Sequence, residues 1–121
     1  MSRWLRVAWT INDVVENGVY DGIPYFIKQI GNEYMTYFTA YLVIDKYYNV
    51  DEGFPFGFNE ITFTKDINNV NWIKDKTLGK YVIGWDYAHA GQEDTTINDV
   101  KNDVIDTITE YNSREKESNN D

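Results

Sequence analysis

The sequence predicts an α+β domain: a mostly antiparallel sheet of five or six strands, with one C-terminal amphipathic helix packed on one face. Short segments rich in β-branched and aromatic residues recur along the first 85 residues and are separated by Gly, Pro, Asn and Asp. Helical periodicity is found in one segment near the C-terminus. A chain of 121 residues with 42% hydrophobic residues is also long enough to bury one core.

The predicted strands alternate with turn-forming residues. The most apolar strand, residues 34–44, has apolar side chains on both faces and is predicted to lie centrally, with its aromatic residues in the core. Residues 10–24 contain two Asx-Gly pairs and a proline, so we predict a loop with at most one helical turn there. The predicted strands cover residues 3–9, 25–30, 34–44, 60–64, 70–73 and 80–85.

The helix is predicted over residues 96–111, where apolar residues recur every three or four positions. Thr96 and Asp99 have the spacing of a capping box at its start. Residues 1–112 are therefore expected to form a single domain, and residues 113–121, which are polar, a disordered acidic tail. The helical residues expected on the core are Ile97, Val100, Val104 and Ile108.

The formal net charge is −9, and the C-terminal part carries most of it. Residues 1–85 contain ten acidic and eight basic residues, whereas residues 86–121 contain ten acidic and three basic residues. Direct binding to nucleic acid is not expected, because it requires a patch of Lys and Arg. The charge favours a basic protein partner instead.

The remaining composition points to the cytoplasm. The chain has no cysteine, which excludes disulfides and thiolate metal sites. The N-terminus lacks the apolar region of a signal peptide. The longest uncharged apolar run, residues 34–44, has about half of the roughly 20 residues that a membrane span needs. We expect a cytoplasmic protein that does not bind membranes.

Four carboxylates are predicted to form a line on the solvent face of the helix. Asp99, Asp103, Asp106 and Glu110 follow one another at spacings of four, three and four residues. Like charges at these spacings repel, so helix stability does not account for them. Their spacing of about 4.5–6 Å along the helix axis approaches that of successive phosphates, which suggests mimicry of nucleic acid. An acidic face that serves solubility alone is the alternative.

Asp86 and His89 follow the last predicted strand, where functional groups are common. The pair could ligate a divalent ion, with Glu93 or Asp94 completing the site. The alternative is a structural hydrogen bond that holds the turn.

A second candidate contact surface is the loop with Phe54, Phe56 and Phe58 around a proline, which either covers the core edge or forms an apolar patch for a partner or for self-association. Enzyme activity is not predicted, because the chain has no Cys, no Gly-x-Ser-x-Gly and no phosphate-binding Gly-rich loop. No cofactor is predicted.

Residues 81–91, Tyr-Val-Ile-Gly-Trp-Asp-Tyr-Ala-His-Ala-Gly, resemble a motif of small phage and prophage proteins of low-GC Gram-positive bacteria. That motif reads aromatic-Ile-Gly-aromatic-Asp-x-Ala-His-x-Gly-Asp. This chain has Gln92 at the final Asp, Phe-Asn-Glu at residues 58–60 where the family has His-Gly-Gly, and neither Pro nor His at residues 45–47. The resemblance spans residues 34–108 and implies a phage or mobile-element setting, in which small acidic proteins often inhibit host defence.

These observations lead to one hypothesis and two alternatives. The hypothesis is a small acidic phage- or prophage-derived protein that binds and inhibits or regulates a basic nucleic-acid-handling host protein, such as a CRISPR or restriction nuclease, by nucleic-acid mimicry. One alternative is a divalent-metal-binding domain or metal-dependent enzyme that uses Asp86 and His89. The other is a structural or assembly protein that self-associates.

Overall fold

The computed structural model describes residues 9–49 and 60–119, with side chains described as far as residue 117. Five antiparallel strands form one sheet in the order β1-β2-β3-β5-β4, and one helix packs against it, so the predicted fold class is confirmed. A short 3-10 helix, Ile67–Asn69, follows β4. The strands are β1 Thr10–Tyr20, β2 Ile23–Asn32, β3 Thr36–Ile44, β4 Phe63–Asp66 and β5 Tyr81–Asp86, and the helix α1 is Ile97–Asn119.

Residues 10–20 form a strand, so the loop predicted there is wrong. The turn of the β1–β2 hairpin consists of Asp21 and Gly22 alone, because Tyr20 pairs directly with Ile23. Both turn residues have positive φ, 47° and 84°, as a type I′ hairpin turn requires. The earlier Asn-Gly pair lies inside the strand, where Gly18 faces Tyr25 and a Cβ would lie 3.0 Å from the Tyr25 hydroxyl. Asp21 and Gly22 therefore form the turn, whereas Gly18 leaves room for the ring of Tyr25.

Two further strand predictions differ from the structure. β4 begins at Phe63 rather than at residue 60, and Thr62 N donates a hydrogen bond to Gly84 O just before it (3.0 Å). Residues 70–73 form a turn, not a strand. The predicted strand 3–9, apart from Trp9, lies outside the described residues, and so do Phe54, Phe56 and Phe58.

The sheet buries apolar side chains on both faces of its central strands. Because side chains alternate along a strand, Ala40, Leu42 and Ile44 of β3 face α1, and Tyr41 and Val43 face the other way. The predicted central position of this strand is therefore correct. On the helix side, the buried helical residues are Val100, Val104, Ile108 and Tyr111, whereas Ile97 is partly buried. On the opposite side, Ile67, Val70 and Ile73 cover the sheet.

The helix continues to Asn119, so its predicted end at residue 111 is wrong, and residues 113–119 are helical rather than part of a disordered tail. Two contacts hold the added turns. Arg114 Nε pairs with Glu110 Oε2 at 3.2 Å, and the Tyr48 hydroxyl donates to Glu115 Oε1 at 3.2 Å. Polar residues without an apolar anchor can therefore stay helical when side chains of another segment contact them.

Polar contacts fasten the β1–β2 hairpin to the helix. Lys101 Nζ lies 2.9 Å from Glu16 Oε2, and Asn112 Nδ2 donates to the backbone carbonyl of Asp21 at 3.0 Å. Edge strand β1 is thus held against α1 at its middle and at the hairpin turn. Among the described residues, no helix combines the length and the apolar character that crossing a membrane would require.

Candidate functional site

The loop between β5 and α1, residues 87–96, is held by its own polar groups and by the neighbouring strand. Tyr87 N donates to Phe38 O (3.0 Å), and Asp86 Oδ1 accepts from Ala88 N (3.0 Å). The side chain of Gln92 then closes the next turn, because its Oε1 accepts from His89 N at 3.0 Å. The loop therefore has a defined path between the last strand and the helix.

Two adjoining cavities open between this loop and the β2–β3 turn, and we call them together the end cleft. Their volumes are about 180 and 240 Å³. Tyr34 and Met35 line the larger one and are 76% and 51% exposed. The residues that line both cavities are Thr36, Tyr87, Gln92 and Glu93. The cleft thus combines aromatic rings, a thioether, an imidazole, amide groups and one carboxylate.

Asp99, the first of the four predicted acidic residues, caps the helix. Its Oδ2 accepts from Thr96 N at 2.9 Å, and its own N–H donates to Thr96 Oγ1 at 3.2 Å. This reciprocal pair is the capping box that the sequence predicts. The hydrogen bond from the Thr96 backbone, followed by that involving the Thr96 side chain, lowers the pKa of the exposed Asp99 carboxyl. Asp99 is therefore a carboxylate that remains charged at neutral pH.

Asp103 is turned towards the protein instead of lying open to solvent. Its Oδ2 accepts a 2.7 Å hydrogen bond from the Tyr87 hydroxyl, which itself accepts one from Trp85 Nε1 at 2.9 Å. Trp85 and Tyr87 are buried, at 2% and 5% exposure. A buried indole N–H and a buried phenol need partners, and Asp103 ends the chain that satisfies them. This residue has a structural role that the periodicity of the helix did not reveal.

The predicted line of four open carboxylates is therefore wrong at two positions. Glu110 is only partly exposed and pairs with Arg114, and Asp103 pairs with Tyr87. Asp99 and Asp106 are exposed. Because Tyr87 lines both cavities and also binds Asp103, the acidic side of the helix adjoins the end cleft. The negative surface is shorter than expected and lies beside an aromatic cleft.

Asp86 and His89 lie together, as the sequence predicts, with 3.5 Å between Oδ1 and Nε2. The same carboxylate oxygen accepts from Ala88 N, which is the geometry of a turn. Glu93, one of the two residues predicted to complete a metal site, lines the end cleft. Within residues 9–49 and 60–119, no three His, Asp or Glu side chains converge to hold a metal ion. The metal-binding alternative stays a prediction without a third ligand among these residues.

Sequence reasoning missed the exposed residues of the end cleft. Tyr34 and Met35 were assigned to the central strand, but they lie in the turn that precedes it, where Asn32 Oδ1 accepts from the Tyr34 N–H at 2.8 Å. The Gly31-Asn32 pair predicts the end of the preceding strand, but β2 includes both residues, and the side chain of Asn32 forms an Asx turn after them. Comparison with protein-family models, with curated proteins and with solved structures finds no match for this chain.

Proposed function

We propose that this chain is a non-catalytic binding protein whose end cleft and adjoining acidic residues contact a basic surface of a nucleic-acid-handling protein. The observation that carries the proposal is the juxtaposition of exposed Tyr34 and Met35 with the acidic side of the helix, joined through Tyr87. Aromatic residues and Met are enriched at protein interfaces and supply most of the binding energy there. Carboxylates around such a centre favour a partner that presents Lys and Arg.

The net charge of −9 supports the same partner chemistry. A strongly acidic protein attracts a basic one over about 8–10 Å at physiological salt, which accelerates association. Proteins that bind nucleic acid carry basic grooves for phosphates, and a row of carboxylates competes for those grooves. Asp103 and Glu110 are only partly exposed and are bound by Tyr87 and Arg114. The carboxylates that we assign to this contact are therefore the exposed ones, Glu93, Asp94, Asp99 and Asp106.

The resemblance of residues 81–91 to phage and prophage proteins narrows the proposal further. We propose a host-defence nuclease, of the restriction or CRISPR type, as the partner, which this chain inhibits by occupying its nucleic-acid groove. This role requires binding only. We assign that binding to the side chains of the end cleft and of the first helical turns.

Affinity capture from the lysate of a low-GC Gram-positive host, at low and at physiological salt, tests the proposal. The site variant Glu93→Gln/Asp94→Asn/Asp106→Asn is compared with Asp13→Asn/Asp45→Asn/Glu60→Gln, which removes the same charge at exposed positions elsewhere. We expect the wild type and the second variant to retain a nucleic-acid-handling protein that the site variant loses. Adding DNA should displace the captured protein.

Equal capture by the two variants would contradict the proposed surface, because bulk charge alone would then account for binding. Capture that DNA does not displace would contradict occupancy of the nucleic-acid groove. The variant Tyr34→Ala tests the contribution of the cleft separately from the charge. It removes an exposed ring without changing the charge, and we expect it to weaken capture at both salt concentrations.

A further inference from the structure

A polar row crosses the face of the sheet that lies opposite the helix. Lys28 of β2, Thr39 of β3 and Asp86 of β5 are direct neighbours in the strand register, so their side chains share this face. Thr39 is only 6% exposed, and its hydroxyl interacts with the Tyr41 side chain without forming a hydrogen bond of good geometry; it has no other polar partner within the described part of the chain. A buried hydroxyl without a partner is destabilising, because it has lost its hydrogen bonds to water. A bound ligand that supplied a donor would remove that penalty.

Thr39 lines an open cavity of about 160 Å³ on this face. Pockets for drug-sized ligands measure about 300–1,000 Å³, so this smaller cavity has room for only one small polar group of a ligand. Two aromatic rings, Tyr41 and Phe63, pack edge to face in its wall with centroids 5.3 Å apart. The full lining is Thr39, Tyr41, Thr62, Phe63, Trp85 and Asp86.

The cavity has one ionisable carboxylate and no cation in its lining. Asp86 Oδ1 accepts from Ala88 N and lies 3.5 Å from His89 Nε2, whereas no bond to Oδ2 is found among the described residues. Lys28 Nζ lies over the ring of Trp72, 4.4 Å from its centroid, and does not line the cavity. Burial raises the pKa of Tyr41, the interaction with the Thr39 side chain lowers it in part, and the charges of Tyr37 and Asp86 raise it further, so this phenol remains neutral at neutral pH.

A cation also lies close to one ring of the wall. Lys65 Nζ is 5.6 Å from the centroid of the Phe63 ring, although Lys65 itself lines a different cavity. Aromatic rings attract cations through their negative faces, and a planar guanidinium stacks on them better than an ammonium does. Aromatic walls with an unpaired carboxylate oxygen and a hydroxyl acceptor therefore match a guanidinium most closely.

We propose that this cavity binds one guanidinium group, that of an arginine side chain on a protein partner. In the complex, Asp86 Oδ2 and Thr39 Oγ1 accept hydrogen bonds from the guanidinium, which stacks on one of the two perpendicular rings, Tyr41 or Phe63, and meets the other at its edge. The site lies on the opposite sheet face from the helix, so it goes beyond the end-cleft contact and is tested without it. Because the cavity is too small for the backbone of the partner, only the arginine side chain enters it.

Titration of the full chain with methylguanidinium chloride, followed by ¹H–¹⁵N NMR, tests the chemistry of the cavity. We expect saturable shifts at Thr39, Tyr41, Phe63 and Asp86. Neutral methylurea, which has a similar shape, should bind at least about tenfold more weakly, since hydrogen bonds to charged groups are roughly twice as strong as neutral ones. The capped tripeptide acetyl-Gly-Arg-Gly-amide should shift the same residues.

Two variants assign the contacts. Asp86→Asn should weaken methylguanidinium binding about tenfold, whereas Asp45→Asn, which removes one exposed carboxylate elsewhere, should bind as the wild type does. Thr39→Val should weaken binding several-fold while its melting temperature stays equal or rises, because the lost hydroxyl formed no hydrogen bond of good geometry. If Thr39 had only a structural role, its substitution would lower the melting temperature together with the affinity.

The inference is overturned if methylguanidinium gives no saturable shifts at these residues, if methylurea binds equally well, or if Asp86→Asn and Asp45→Asn behave alike. Binding of methylguanidinium without binding of the tripeptide would overturn the arginine side chain as the ligand. None of these outcomes depends on the acidic residues of the end cleft. Failure here therefore leaves the proposed function standing, and failure of the capture experiment leaves this site standing.

Discussion

One hydrogen bond gives Asp103 a structural role that its position in the sequence does not indicate. In the sequence it is one of four acids on a helical face, and in the structure it ends the buried chain from Trp85 through Tyr87. A group that satisfies buried donors contributes to stability in a way that an exposed carboxylate does not. Asp106, three residues later, is exposed and provides the comparison.

Asp103→Ala is expected to lower the free energy of unfolding by about 1–3 kcal/mol, because the Tyr87 hydroxyl and the indole behind it lose their acceptor. Asp106→Ala should change it by less than about 0.5 kcal/mol. Urea denaturation of both variants measures the difference. Equal effects of the two substitutions would show that the hydrogen-bonded chain contributes nothing to stability.

The end of the helix is a boundary that the sequence predicts wrongly. Its last apolar residue, Tyr111, is 6% exposed, and beyond it Glu115 accepts a hydrogen bond from Tyr48. Burial, followed by the charges of Glu115 and Asp45, raises the pKa of Tyr111 to about 12. The unfolded chain releases this proton near pH 10, its ordinary value. Folding therefore favours the neutral phenol.

Stability should accordingly fall at alkaline pH. Because the folded pKa of Tyr111 lies above the unfolded one, its contribution is complete below about pH 10 and is lost as the pH rises towards about 12. We expect Tyr111→Phe to lose less stability than the wild type over that range. Urea denaturation at a series of pH values measures this. Parallel pH profiles of the two proteins would contradict the shift, and the difference between them removes contributions that other tyrosines make to both.

At the scale of the whole molecule, ten of the twenty acidic residues lie in the last 36 residues, a segment that includes the loop after β5 and the helix. Like charges that folding brings together repel, which destabilises the compact state. The described ion pairs, such as Lys101 with Glu16, are partly exposed and offset little of this. We therefore expect the excess of negative charge to lower the stability of the free protein, and the proposed basic partner would offset that repulsion on binding.

Added salt should therefore stabilise the protein. We expect the melting temperature to rise between about 10 and 200 mM NaCl, over which the screening length falls from about 30 Å to less than 10 Å. The variant Glu93→Gln/Asp94→Asn/Asp106→Asn should gain less than the wild type, since it has three fewer charges to screen. A melting temperature that falls with salt would mean that the ion pairs outweigh the repulsion.

Properties that depend on neighbours along the chain could be predicted without coordinates. The alternation of strands, the stripe of Val100, Val104 and Ile108, the Thr96–Asp99 capping box and the contact of Asp86 with His89 all involve residues close in sequence. Their geometry follows from the repeat of a helix, a strand or a turn. Where the local signal was ambiguous, as for the two Asx-Gly pairs of the first hairpin, the prediction failed.

Contacts between distant segments could not be predicted in this way. The partner of Asp103, the exposure of Tyr34 and Met35, and the row of Lys28, Thr39 and Asp86 each depend on which strand lies beside which, and in what register. A shift of one residue in the pairing of a strand would move Lys28, Thr39 or Asp86 to the other face of the sheet. Periodicity along the chain contains no such information, because register is established by packing in three dimensions.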